Sequence, residues 1–106
     1  MPVIKNSEWV LDRPNWAIKS VMDSILEDAE IRLILPKNFV YKVETCRMIN
    51  SDIINLDLLD QHSLSIFAAF LKNLLARYEN GEPMGIEDYR QDYIEFLRRF
   101  IELVSL

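Results

Sequence analysis

One histidine, one cysteine and a crowd of carboxylates are the side chains with chemistry to offer in this sequence. His62 stands in the run DLLDQHS, two residues after Asp60 and five after Asp57. That is the raw material of a carboxylate–imidazole pair or, with Cys46, of a thiol–imidazole dyad. Neither comes with a supporting motif. The chain has no HExxH or Glu-x-x-His pattern, no GxSxG and no glycine-rich phosphate loop, and it holds only two glycines. The ordinary reading of His62 is a residue beside a helix cap, and that of Cys46 is a structural thiol. A small hydrolase using His62 with Asp57 or Asp60 is the least favoured function.

The carboxylates concentrate in ENGEPMGIEDYRQDYIEF, Glu79 to Phe96. A calcium loop needs oxygen ligands at alternating positions, a central glycine and a glutamate at its end, and no register here supplies them. The segment Glu79–Gly85 reads as a turn, with acids at the start of the following helix favoured by its positive end. Asp88, Asp92 and Glu95 are different. Spaced i, i+4, i+7, they form one outward stripe with Glu87 at its head. Like charges so placed cost about 0.2–0.5 kcal/mol per pair on a helix. Arg99, four residues after Glu95, offers relief, so the stripe reads either as a solvated face with one ion pair or as a docking surface for a basic protein. A second candidate surface is Trp16 with Asp23 and Glu27, because Trp16 falls outside the apolar arc of its helix. Trp9 folding back over it is the alternative.

These residues require elements to carry them. Val3, Ile4, Trp9, Val10 and Leu11 make residues 1–12 an arm or short strand. Asp12 and Pro14 mark a helix start, and Ala17, Ile18, Val21, Met22, Ile25 and Ala29 recur at helical spacing up to about Glu30. IRLIL, PKN and FVYKVETC then read as a β-hairpin over 31–46, with Phe39, Tyr41 and Val43 on one face; continuation of the first helix is the alternative for its first run. Asp60 or Ser63 caps a helix running to Tyr78, apolar nearly all round and so expected at the centre of the core, and stopped by Asn80-Gly81 in the left-handed position. The last helix spans 86–104. The fold predicted is α+β, predominantly helical, with three main helices and one β-hairpin in a single domain, 1–106; an all-α bundle is the alternative.

Half of the residues are apolar and 27% are charged, the balance of a globular protein, and the net charge is −5. Nucleic acid and anionic membrane are therefore not expected partners. One cysteine excludes an internal disulfide, and no apolar run reaches the length of a signal peptide or membrane span, which points to the cytoplasm. No cofactor or metal is expected, nor an enzyme. The profile is that of a small acidic protein-binding module that neutralises or regulates a basic partner. Bacterial immunity or antitoxin proteins that inhibit nuclease toxins share this general profile, an analogy at the level of class. A self-associating structural or regulatory subunit, a homo-oligomer, is the alternative. With no complete ligand set in the sequence, micromolar calcium, magnesium or zinc should leave the melting temperature unchanged. A rise of several degrees in a thermal melt would reveal a site.

Overall fold

The computed structural model of the protein describes residues 3–5, 10–12, 15–51, 53–83 and 87–105. Two short strands, β1 (Val3–Lys5) and β2 (Val10–Asp12), precede helices α1 (Asn15–Glu27), α2 (Ala29–Ile34) and α3 (Lys37–Met48). β3 (Ile53–Asn55) and a 3-10 turn (Leu56–Leu58) lead into α4 (Gln61–Glu79), and a second 3-10 turn (Glu87–Tyr89) leads into α5 (Arg90–Val104). The fold is α+β and predominantly helical, as the sequence pattern predicts. Its residues group into two compact units, Met1–Ser63 and Leu64–Leu106.

The first unit is organised by a three-stranded sheet in the order β2-β1-β3. β1 pairs antiparallel with β2 and parallel with β3, placing Leu11, Ile4 and Ile54 in one row, and all three are buried. A parallel neighbour demands a crossover connection. Here α1, α2 and α3 provide it, and α1 and α3 pack on β3. The expected arm is thus a pair of strands; Trp9 and Pro14 lie outside the described residues. α1 buries Ala17, Ile18, Val21, Met22 and Ile25 of the predicted face, whereas Ala29, its expected last member, opens the next helix and is exposed. α1 stops at Glu27, short of Glu30, because Asp28 caps the next helix, its side chain accepting from Ile31 N at 3.1 Å.

The hairpin expected over 31–46 is not formed. Two helices occupy the segment, divided at Pro36, which has no N–H to continue α2 and stands at the N-cap of α3. The misreading has a simple cause: residues four apart share a face both in a strand and in a helix. Ile31 and Leu35 are buried, as are Phe39 and Val43, and those pairs satisfy either period. The intervening residues decide. Leu33 is 87% exposed and Tyr41 69% exposed, whereas Val40 and Cys46 are buried, which is the helical pattern. α3 ends in a Schellman motif, with Asn50 at φ 59° and Ser51 N donating to Cys46 O at 2.8 Å.

In the second unit α4 and α5 share an aromatic cluster. Phe67 meets Phe100 edge-on at 5.7 Å between ring centroids, Tyr78 meets Tyr93 at 5.3 Å, and Phe96 lies 5.9 Å from both Tyr93 and Phe100. α4 is not buried all round as its composition implies. Phe67, Phe70, Leu71 and Leu74 are buried, while Ser65, Ala69, Lys72, Asn73, Ala76 and Arg77 are exposed. Alanines raise a helix's apolar count yet carry little surface to bury, so they are tolerated on the solvent side. The predicted stop is present: Gly81 has φ 91°, Glu82 N donates to Arg77 O at 3.1 Å, and Gly81 N donates to Tyr78 O at 3.2 Å. α5 buries Tyr93, Ile94, Phe96, Leu97 and Phe100 and begins at Arg90; the expected start at Ile86 lies outside the described residues.

The helical assignment of the middle segment separates two leucines that a hairpin would place together. Leu35→Ala should cost about 2–5 kcal/mol for a cavity in the core, whereas Leu33→Ala should stay within about 0.5 kcal/mol. Urea unfolding of both variants checks this. Equal and large losses would restore the hairpin.

Candidate functional site

The residues about Glu79–Glu82 behave as a turn whose charges are used locally. Glu79 pairs with Arg98 at 2.6 Å and Glu82 with Arg77 at 2.7 Å. Arg90, a residue the sequence reading passes over, fastens this turn to the start of α5. Its Nη1 donates to Tyr78 O at 2.9 Å and its Nη2 to Glu82 O at 2.8 Å, while its Nε donates to Glu87 at 2.9 Å. A guanidinium fits this task because its planar donors reach several acceptors at once. Glu87, expected at the head of an outward stripe, is therefore held inside a clasp. Met84, Gly85 and Ile86 lie outside the described residues.

The stripe itself is altered by the late start of α5. Asp88 lies in the 3-10 turn, whereas Asp92 and Glu95 lie on the helix, so the regular i, i+4, i+7 spacing does not hold for its first member. Asp92 sits in the first turn of α5, where the helix's positive end favours it. Glu95 has no such support. Arg99, expected to pair with it, pairs with Glu102 at 3.1 Å, and Arg98 turns to Glu79. Asp88, Asp92 and Glu95 are all exposed, and none makes an ion pair among the described residues. Tyr89, next to Asp88, is 48% exposed.

The second predicted surface is divided. Asp23 is bound by Arg47, whose Nε approaches Oδ1 at 2.7 Å, tying α1 to α3. Trp16 is half-buried at one end of α1, and Glu27 is exposed at the other. His62 is exposed and Cys46 buried, and no hydrogen bond joins them or links His62 to Asp57 or Asp60. Instead Asp60 caps α4, its Oδ1 accepting from Ser63 N at 2.7 Å. No three of the described His, Cys, Asp or Glu residues are grouped as metal ligands, and no helix of the described residues is long and apolar enough to cross a membrane.

A groove of about 660 Å³ opens on the first unit, over the segment expected to be a hairpin. Leu26 and Glu27 from α1, Ala29, Arg32 and Leu33 from α2, and Lys37, Val40, Tyr41 and Glu44 from α3 line it. Read with a helical period, the sequence puts Leu33 off the Ile31–Leu35 face, and that was the available signal. Arg32 bridges the groove wall, paired with Glu44 and donating to Leu26 O at 3.2 Å. The chain matches no known family model, no curated protein and no solved structure.

The carboxyl of Asp60, which caps α4, titrates lower than an ordinary aspartate. The Ser63 backbone N–H, and after it the Ser63 hydroxyl, hold its carboxyl below the ordinary carboxylate range, with a smaller push from the charge of His62. A depressed value in the folded state adds stability above the unfolded group's range, and that stability is lost as pH falls through the lowered value. Asp60→Ala should accordingly melt below the wild type at neutral pH, with the gap narrowing in acid. Calorimetry at the two extremes measures this; a constant gap would deny the carboxylate its capping role.

Proposed function

We propose that the protein is an acidic protein-binding module that engages a basic protein partner and neutralises or regulates it, without chemistry of its own. One observation carries this reading. All six arginines among the described residues are spent on other carboxylates, at Glu44, Asp23, Glu82, Glu87, Glu79 and Glu102. The carboxylates left over on the outer side of the second unit are Asp88, Asp92 and Glu95, with an exposed tyrosine beside them. Exposed charge of one sign steers an oppositely charged partner into encounter, and a neighbouring aromatic ring supplies area to desolvate on docking. A nuclease toxin is the kind of basic partner whose phosphate-binding surface such a stripe would occupy, which is the mode of an immunity-type inhibitor.

The variant Asp88→Asn/Asp92→Asn/Glu95→Gln keeps shape and removes charge. It should fold as the wild type does, since none of the three makes an internal ion pair. Used as bait beside the wild type in extract of the native cell, it should fail to retain a basic protein that the wild type holds at low salt. With that protein purified, association should slow by about tenfold at low ionic strength and lose most of its salt dependence. If it is a nuclease, the wild-type chain should suppress its activity. Identical retention and identical rates for both baits would end the acidic-surface reading.

A further inference from the structure

The first unit leaves more apolar surface in solvent than its own packing accounts for. Leu33, Tyr41 and Ile34 are 87%, 69% and 54% exposed, and the first two stand over the groove with Leu26 and Val40. Apolar side chains grouped in this way on a small protein mark a surface meant to be covered. The charges of the groove indicate by what. Its lining holds Glu27 and Glu44 against Arg32 and Lys37 and so has no net charge, offering neither a strongly basic nor a strongly acidic partner any long-range attraction.

These charges are separated along the groove. Glu44 is held by Arg32, which also reaches the carbonyl of Leu26, the residue before Glu27, so Glu27 and Glu44 share one end. Lys37 opens α3 at the other end, two helical turns from Glu44, or about 10 Å at 1.5 Å per residue. Neither Lys37 nor Glu27 makes an ion pair among the described residues. An apolar middle flanked by an uncommitted cation at one end and an uncommitted anion at the other is complemented by its own copy turned through 180°. A two-fold axis through the middle sets Lys37 of each chain against Glu27 of its mate.

We infer that the groove between α1, α2 and α3 is a self-association surface whose occupant is a second copy of this chain, packed antiparallel. Leu33 and Tyr41 of the two copies fill the centre, and reciprocal Lys37–Glu27 pairs at the ends fix the register. The apolar centre supplies the affinity; the rim pairs, exposed to water, contribute little energy and mainly specify alignment. The surface is distinct from the acidic residues of the second unit and does not depend on what they bind.

Sedimentation equilibrium from low micromolar to submillimolar concentration tests this with the protein alone. The mass should rise from 12.5 kDa toward twice that value. Leu33→Glu should remain monomeric throughout at an unchanged melting temperature, because the side chain is already exposed in the monomer. Lys37→Glu should weaken the dimer by about tenfold by setting like charges together at both ends, and adding Glu27→Lys in the same chain should recover most of that loss. A wild type that stays monomeric at submillimolar concentration overturns the dimer and leaves the groove to a different partner. A dimer that survives Leu33→Glu, or a double swap as weak as the single one, overturns it equally, with the acidic stripe untouched in every arm.

Discussion

Parallel pairing between Val3–Lys5 and Ile53–Asn55 is the constraint on which the first unit depends. Strands so far apart in sequence become parallel neighbours only if the chain between them crosses back over the sheet. Here the crossing takes three helices instead of one. Ile4 and Ile54, opposite each other in the register and fully buried, give α1 and α3 an apolar floor, and Asp23–Arg47 joins those two helices above it. With α1 and α3 held by the sheet, α2 is left as a short span of six residues packed against those two helices, with Ile31 as its buried residue. That is why its other apolar side chains, Leu33 and Ile34, end in solvent and why a groove opens beside them.

The second unit is arranged by a different kind of interaction. Its helices meet through rings, Phe67, Phe96, Phe100, Tyr78 and Tyr93, whose edge-on and tilted contacts set where the two helices touch. The connection between them depends on polar groups: Gly81 supplies the left-handed turn, and Arg90 gathers Tyr78 O, Glu82 O and Glu87. Surface ion pairs of this type add little to stability individually. They also consume charge. Once Arg90, Arg98 and Arg99 have taken Glu87, Glu79 and Glu102, the carboxylates at 88, 92 and 95 are left without an ion pair among the described residues.

Each unit thus presents a surface with a different physical character. On the first it is apolar and electrically balanced; on the second it is polar, with three carboxylates that make no ion pair among the described residues. Apolar balanced surfaces favour contact once partners are close, and single-sign surfaces favour encounter from a distance. Of the side chains with chemistry to offer, Asp60 is committed to a helix cap and Cys46 to the core, while His62 is exposed.

The sequence by itself determined the elements whose signals are local. The face of α1, the stop at Gly81, the cap at Asp60 and the division of α5 around Tyr93, Phe96, Leu97 and Phe100 follow from spacing and turn chemistry, and each depends on neighbours within a turn or two. It also showed which chemistry lacks its motif. What it left undecided was 31–46, because apolar residues four apart satisfy helix and strand alike; burial of Val40 and exposure of Leu33 and Tyr41, which only packing on the sheet decides, settled the segment as two helices. Tertiary structure likewise decided which carboxylates are available. Arg99 takes Glu102 within its own helix, but Arg98, with Glu95 and Glu102 both in helical reach, turns to Glu79, and that choice depends on where α4 and its turn lie against α5, a long-range fact that no local pattern encodes.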